Sequence, residues 1–141
     1  MGVSTVSFGR LAFEANDSVL EVLLRLMVED VDSRSEVPTW LREARDDWQL
    51  LATEEFGFGA APDFDDVVTD EVRRQVMFGI CSRVAGRILS FGDPIRADLL
   101  NSLGAGREES AFTRDVSASL FLETANRLVG LFADVAGNGN P

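Results

Sequence analysis

The chain has 141 residues, of which 45% are hydrophobic and 26% are charged. This balance fits one globular domain over residues 1–141 and excludes disorder throughout. The single cysteine, Cys81, excludes an internal disulfide framework, and no stretch of sequence is as long and apolar as a membrane span. We therefore expect a cytoplasmic protein. Histidine, lysine and tyrosine are absent, which removes the most common general bases and the most common neutral metal ligand and argues against an enzyme.

The first 15 residues predict a short hairpin or an extended arm, because Val3, Val6 and Phe8 precede Gly9 and apolar residues return directly after it. The first helix is predicted to start at the capping residues 16–18 and to run to about residue 30.

A second helix is predicted from Pro38 to Gly57, because proline is favoured in a first helical turn and glycine beyond a last one. The segment 56–69 lacks periodicity and is predicted to be irregular. Thr69 is then expected to cap a helix that runs to Gly92. Its apolar residues spread over most of the circumference, so this helix is predicted to lie at the centre of the fold.

The remaining sequence predicts two further helices. Asp93 and the proline after it are expected to start a short helix that ends at Gly104, and the last helix is expected over 111–135, before a frayed tail at 137–141. The elements together predict an all-α, single-domain bundle of about five helices.

The formal net charge is −11 and is unevenly distributed. Residues 1–71 have a balance of −12, whereas residues 72–141 have a balance of +1. Phosphate contacts need clustered cations, so no direct binding to nucleic acid is expected, and none to membranes. A negative field of this size is typical of a protein with a basic partner, although it also serves solubility alone.

The most acidic segment is residues 54–71, where seven carboxylates and three phenylalanines occur without a cation. The predicted charge contacts are Glu54, Glu55, Asp63, Asp65 and Asp66, and the predicted apolar anchors are Phe58 and Phe64. Acidic groups would speed the encounter with a basic surface, while buried rings would supply most of the affinity. The alternative is a solvated loop whose phenylalanines lie in the domain's own core. The spacing of a calcium loop is missing, so no metal is expected.

The predicted helix that ends at Gly92 contains Arg83 and Arg87 on one face and no acidic residue after Glu71. We expect these guanidinium groups to pair with carboxylates of the acidic half and so to join the two halves of the fold. The alternative is a pocket for a phosphate or carboxylate ligand. A stripe of small residues that includes Gly79 and Gly86 is expected to allow close packing of the last helix.

These features predict a non-enzymatic, acidic protein-binding module without a cofactor, which masks a basic surface of its partner. Small acidic helical chains without catalytic residues are similar in general character to bacterial immunity proteins and phage-encoded inhibitors, which implies an inhibitor of, for example, a toxin. Two alternatives stay open. One is a helical structural or adaptor protein that forms a homodimer or larger homo-oligomer, and the other is an anion-binding protein or enzyme that uses Arg83 and Arg87.

Overall fold

The computed structural model describes residues 2–53, 61–103 and 112–133, so the predicted tail at 137–141 lies outside the described residues. In chain order the elements of this part are β1 (Val3–Phe8), β2 (Leu11–Asn16), α1 (Asp17–Asp32), α2 (Thr39–Thr53), α3 (Phe64–Val67), α4 (Glu71–Ser90), α5 (Ala97–Leu103) and α6 (Ala118–Phe132). None of these helices combines the length and apolar character that crossing a membrane would need.

The prediction of an all-α bundle is wrong, because β1 and β2 form a two-stranded antiparallel sheet that contacts the helices. The described part of the chain is a mostly helical, mixed α/β fold, with six helices rather than five. The additional helix is α3, a single turn within the segment predicted to be irregular. The side chain of Asp63 caps it by accepting a hydrogen bond from the backbone N–H of Asp66.

The hairpin follows the alternation that the sequence shows on both sides of Gly9. Val6 pairs with Phe13 in the antiparallel register, and both side chains are buried against the helices. Gly9 has a φ of +62°, which a residue without a Cβ adopts without steric cost. The alternative of an extended arm is thereby replaced by a paired sheet whose second face is exposed.

The centre of the fold is α1 rather than α4. Ten of the 16 residues of α1 are buried, and the helix contacts α2, α4, α5, α6 and β2. Asn16 caps it as expected, with its side-chain oxygen 2.9 Å from the backbone nitrogen of Ser18. The helix α4 buries one side only and leaves Val72 and Leu89 exposed at 69% and 67%. The predicted central position was wrong because apolar residues on all sides of α4 do not all face the core.

Two of the predicted helix caps are wrong: one helix is capped by a different residue, and one predicted cap binds the start of a different helix. Asp70, and not Thr69, caps α4, because its carboxylate accepts a hydrogen bond from the N–H of Arg73 at 2.8 Å. Asp93 was expected to start α5, but its side chain accepts from the N–H of Ala118 at the beginning of α6. The chain instead pairs at Ile95 with the segment before α6, so that α5 begins only at Ala97.

The small-residue stripe of α4 does not receive α6. A Cβ added to Gly86 would meet nothing within 4 Å, and one added to Gly79 would meet only the side chain of Arg83. The core side of α4 carries larger residues, and α6 packs there. The expected close helix packing at these glycines is therefore wrong.

Candidate protein-binding surface

One exposed side of α2 carries acidic residues next to an apolar one. These residues share one face of the helix, because Asp46, Asp47 and Leu50 follow Glu43 by three, four and seven positions. All four are exposed, and Leu50 is exposed at 56%. The opposite side of α2 buries Trp48, and α2 packs on α1. Burial of the tryptophan fixes which side of the helix faces water.

The short helix α3 contacts α2 and presents three further carboxylates to solvent. Asp63 caps the helix, and Asp65 accepts a hydrogen bond from the N–H of Gly9 at 2.8 Å, which ties α3 to the hairpin turn. The side chain of Asp66 neither caps the helix nor binds the hairpin turn. Within the described residues no arginine lies within ion-pair distance of these three carboxylates.

The exposed groups of these two contacting helices form what we call the acidic face. It consists of Glu43, Asp46, Asp47 and Leu50 of α2 together with Asp63, Asp65 and Asp66, which cap or belong to α3. In the described part of the chain, only Asp46 among its acids has an ion pair, with Arg45 at 3.2 Å. The acidic face therefore carries a surplus of negative charge that internal arginines leave largely uncompensated.

Phe64 lies in the hydrophobic core, and its predicted role as an apolar anchor does not fit this position. Its side chain is fully buried and meets the ring of Phe132 edge to face, with 5.0 Å between the ring centres. Phe8 packs on the same ring of Phe132 at 5.0 Å. For Phe64 the structure agrees with the alternative in which a phenylalanine of the acidic segment belongs to the domain's own core.

Three other predicted contact residues, Glu54, Glu55 and Phe58, lie outside the described residues. They directly follow α2, whose last described residue is Thr53. Their assignment as partner contacts stays a prediction.

Arg83 and Arg87 bind carboxylates of α1. The guanidinium of Arg83 forms two hydrogen bonds to Asp30, at 2.8 and 2.9 Å, and this contact raises the pKa of the arginine. Arg87 donates to Glu29 at 2.6 Å and lies over the ring of Phe91. The two arginines thus join α4 to the acidic half, as expected. These contacts argue against the anion-binding alternative, because a ligand would have to displace the carboxylates.

A shallow depression of about 370 Å³ lies between the end of α1 and α2, and neither Arg83 nor Arg87 lines it. Arg45 and Asp32 line it and pair with each other through two contacts of 2.9 Å. The hydrogen bonds from Arg45 lower the pKa of Asp32, which keeps this carboxylate ionised. Across residues 2–53, 61–103 and 112–133, no three metal-ligating side chains converge.

The thiol of Cys81 is buried in α4. Burial, together with the smaller effect of the negative charge of Asp30, raises its pKa to about 12. Because the thiolate is the nucleophilic form, this thiol is unreactive near neutral pH. Cys81 therefore packs as a small apolar side chain.

Sequence reasoning missed the contribution of α2 to this surface. The periodicity of α2 does predict its exposed side, since Leu51 is three positions from Trp48 on the core side and Leu50 falls outside it. Leu51 is partly buried and Leu50 is exposed. The partner contacts were assigned to the most acidic segment alone, and only the contact between α3 and α2 adds this side of α2 to them.

Comparison of the chain with protein-family models, with curated proteins and with solved structures finds no match.

Proposed function

We propose that this chain is a non-enzymatic binding protein whose acidic face docks on a basic surface of a protein partner and masks it. The observation that carries the proposal is the set of exposed carboxylates on α2 and at α3, of which only Asp46 has an ion pair within the described residues. An inhibitor or immunity protein, for example one that neutralises a toxin, is the class of activity that this chemistry serves best.

Electrostatics supports the proposal through the way the arginines are used. Arg83, Arg87 and Arg45 compensate Asp30, Glu29 and Asp32 at the junctions between helices, rather than the acids of α3. Exposed charges of one sign raise the rate of encounter with an oppositely charged protein and orient it before contact. The negative surplus of the chain is thereby concentrated where a partner would meet it.

Leu50 replaces Phe64 as the apolar contact of the proposed interface. A leucine side chain exposed at 56% would be removed from water on docking, and the full burial of such a side chain contributes about 1.5–3 kcal/mol. Phe58, Glu54 and Glu55 of the acidic segment 54–71 stay part of the proposed contact set. The interface would combine a small apolar centre with acidic groups around it.

A reducing, cytoplasmic location and the lack of catalysis are parts of the same proposal. The one cysteine has its thiol buried, so neither folding nor the proposed binding needs an oxidising compartment. The acidic face contains carboxylates and a leucine but no group poised as a nucleophile, and a masking role needs none.

The test is to capture partners from a lysate of the source organism on the immobilised chain, and to purify the captured protein for titration calorimetry. The acidic-face variant is the double charge reversal Asp47→Arg and Asp66→Arg, one from each helix. Neither side chain has an ion pair or hydrogen bond within the described residues, so both changes leave the fold intact. We expect the affinity to fall at least roughly tenfold, since a like-charge contact costs several kcal/mol.

The matched control is the double reversal Glu14→Arg and Glu123→Arg, which changes the net charge by the same amount at exposed positions of β2 and α6. We expect it to weaken binding much less. Equal losses for the two doubles would show that only the overall field matters and would overturn the assigned surface. A captured protein with an acidic or neutral contact surface would overturn the proposed function.

A further inference from the structure

We propose that β1 is an interaction edge that pairs with β1 of a second copy of this chain, so that two hairpins form one four-stranded antiparallel sheet. Three observations support this pairing: the backbone hydrogen bonds of the hairpin, the difference between its two edges, and the charge that each edge carries. Asp65 of the acidic face accepts a hydrogen bond from the N–H of Gly9 directly after β1, so the edge offered to a second strand runs from Val3 to Ser7.

The register of the hairpin determines which backbone groups point away from it. Phe8 and Leu11 flank a two-residue turn, and the N–H of Asp17 donates to the carbonyl of Gly2 at the open end. The pairs Phe8–Leu11 and Gly2–Asp17 are therefore hydrogen-bonded pairs. Every second pair between them, Val6–Phe13 and Ser4–Ala15, is hydrogen-bonded within the hairpin in the same way. The remaining residues of β1, at positions 3, 5 and 7, direct their N–H and C=O groups outwards.

These outward groups of β1 are unpaired. Within the part of the chain that the structure describes, the backbone of Val3, Thr5 and Ser7 takes part in no further hydrogen bond. Val3 is exposed at 62% and Thr5 is exposed as well, whereas Ser7 is partly buried. An unpaired row of donors and acceptors of this kind is a template for another strand.

The two edges of the sheet differ in their protection. The edge of β2 carries Glu14, and an inserted charge is a common device against unwanted strand pairing. The sequence of β1, VSTVSF, contains no charge, no proline and no glycine, and β-branched residues occupy positions 3, 5 and 6. In a chain with a net charge of −11, the strand itself therefore places no charged side chain opposite a second copy of β1, and Asp65, which lies beyond its end, is bound to the N–H of Gly9.

A second copy fits this edge because the edge is self-complementary. In an antiparallel arrangement about a two-fold axis at Thr5, Thr5 lies opposite Thr5 of the other copy, and Val3 lies opposite Ser7. Each outward residue supplies one donor and one acceptor, so about six hydrogen bonds join the chains. Threonine side chains that face each other across strands stabilise such a pair. The interface is isologous, that is, both copies use the same surface, so the assembly is complete as a dimer.

The acidic residues of the sheet stay apart in this arrangement. Glu14 lies opposite Thr5 within each hairpin, so the two glutamates are separated by three strand spacings, or about 14 Å. This distance exceeds the Debye length of about 8 Å at physiological salt. The remaining repulsion comes from the whole chains, so self-association should strengthen as salt is added. Binding to a basic partner should weaken under the same change.

The test is sedimentation equilibrium of the full chain with Thr5→Lys and, as the matched control, Ala12→Lys. In the proposed dimer, Thr5→Lys places two lysines opposite each other, whereas within one hairpin the lysine faces Glu14 and does not weaken the fold. Ala12→Lys adds the same charge to the same face of the sheet but at the other edge. We expect the dimer dissociation constant to rise at least roughly tenfold for Thr5→Lys, because like charges in contact cost several kcal/mol, and to change little for Ala12→Lys.

Amide hydrogen exchange gives a residue-level readout that does not depend on any variant. Protection of the amides of Val3, Thr5 and Ser7 should increase with protein concentration, while the amides of Ala12 and Glu14 should not respond. A wild-type chain that stays monomeric up to about 1 mM, the weak end of specific affinities, would overturn the proposal. A dimer that the two lysine variants weaken equally would also overturn it, since the contact would then lie elsewhere.

Discussion

Replacement of Phe64 by alanine tests whether this ring belongs to the core or to the partner surface. The side chain is fully buried, and its ring meets Phe132 edge to face at 5.0 Å. Truncation of a buried phenylalanine to alanine costs about 3–5 kcal/mol, of which the aromatic pair accounts for about 1 kcal/mol. For a chain of this size, each kcal/mol shifts the melting temperature by roughly 3 °C, so we expect a decrease of about 10–15 °C.

The assay is urea denaturation of Phe64→Ala beside Phe78→Ala, a matched change at a ring that is exposed at 39% on α4. The control should lose less than about 1.5 kcal/mol, because a smaller part of its area is withdrawn from water. A loss below about 1 kcal/mol for Phe64→Ala, together with weakened partner capture, would refute the core assignment. It would return Phe64 to the set of anchor residues.

Three further predictions follow from charges and burial. Arg74 lowers the pKa of the Glu71 carboxylate from its usual 4.5 to about 2, so the stability it contributes is present above pH 4.5 and is lost as the pH falls towards 2. In the Glu71→Gln variant, the free energy of unfolding should therefore fall less steeply as the pH drops from 4.5 to 2. An unchanged dependence on pH would contradict the contact between Glu71 and Arg74. Cys81 should resist alkylation at pH 8 until the chain is unfolded, whereas rapid labelling of native protein would disprove its burial. A double-mutant cycle between Asp30 and Arg83 should give a coupling of up to about 1 kcal/mol, and zero coupling would show that this pair does not join α1 to α4.

The parts of the fold that the sequence predicts are those in which one pattern is long enough to be unambiguous. The helices α1, α2, α4 and α6 each extend over at least 15 residues, and the hairpin is indicated by Gly9 between two apolar stretches. The helix α3 has only four residues, so no periodicity reveals it. The all-α class failed because a paired sheet of two short strands depends on its packing against helices.

The candidate site was only partly predictable for a related reason. The charge imbalance predicts that Arg83 and Arg87 pair with the acidic half, but only the packing of α4 on α1 identifies Asp30 and Glu29 as the partners. In a segment without periodicity, composition does not distinguish a buried ring from an exposed one, so the burial of Phe64 could not be predicted.

The central claim is that the acidic face steers a basic partner, and the association rate as a function of salt tests it most directly. For the captured partner, we expect the rate to fall at least roughly tenfold between about 50 and 500 mM salt, because screening shortens the range of the field. In the Asp47→Arg and Asp66→Arg double variant, the rate should be lower at low salt and should fall less steeply as salt is added, because four acids of the acidic face remain. A wild-type rate that does not change with salt would contradict the account.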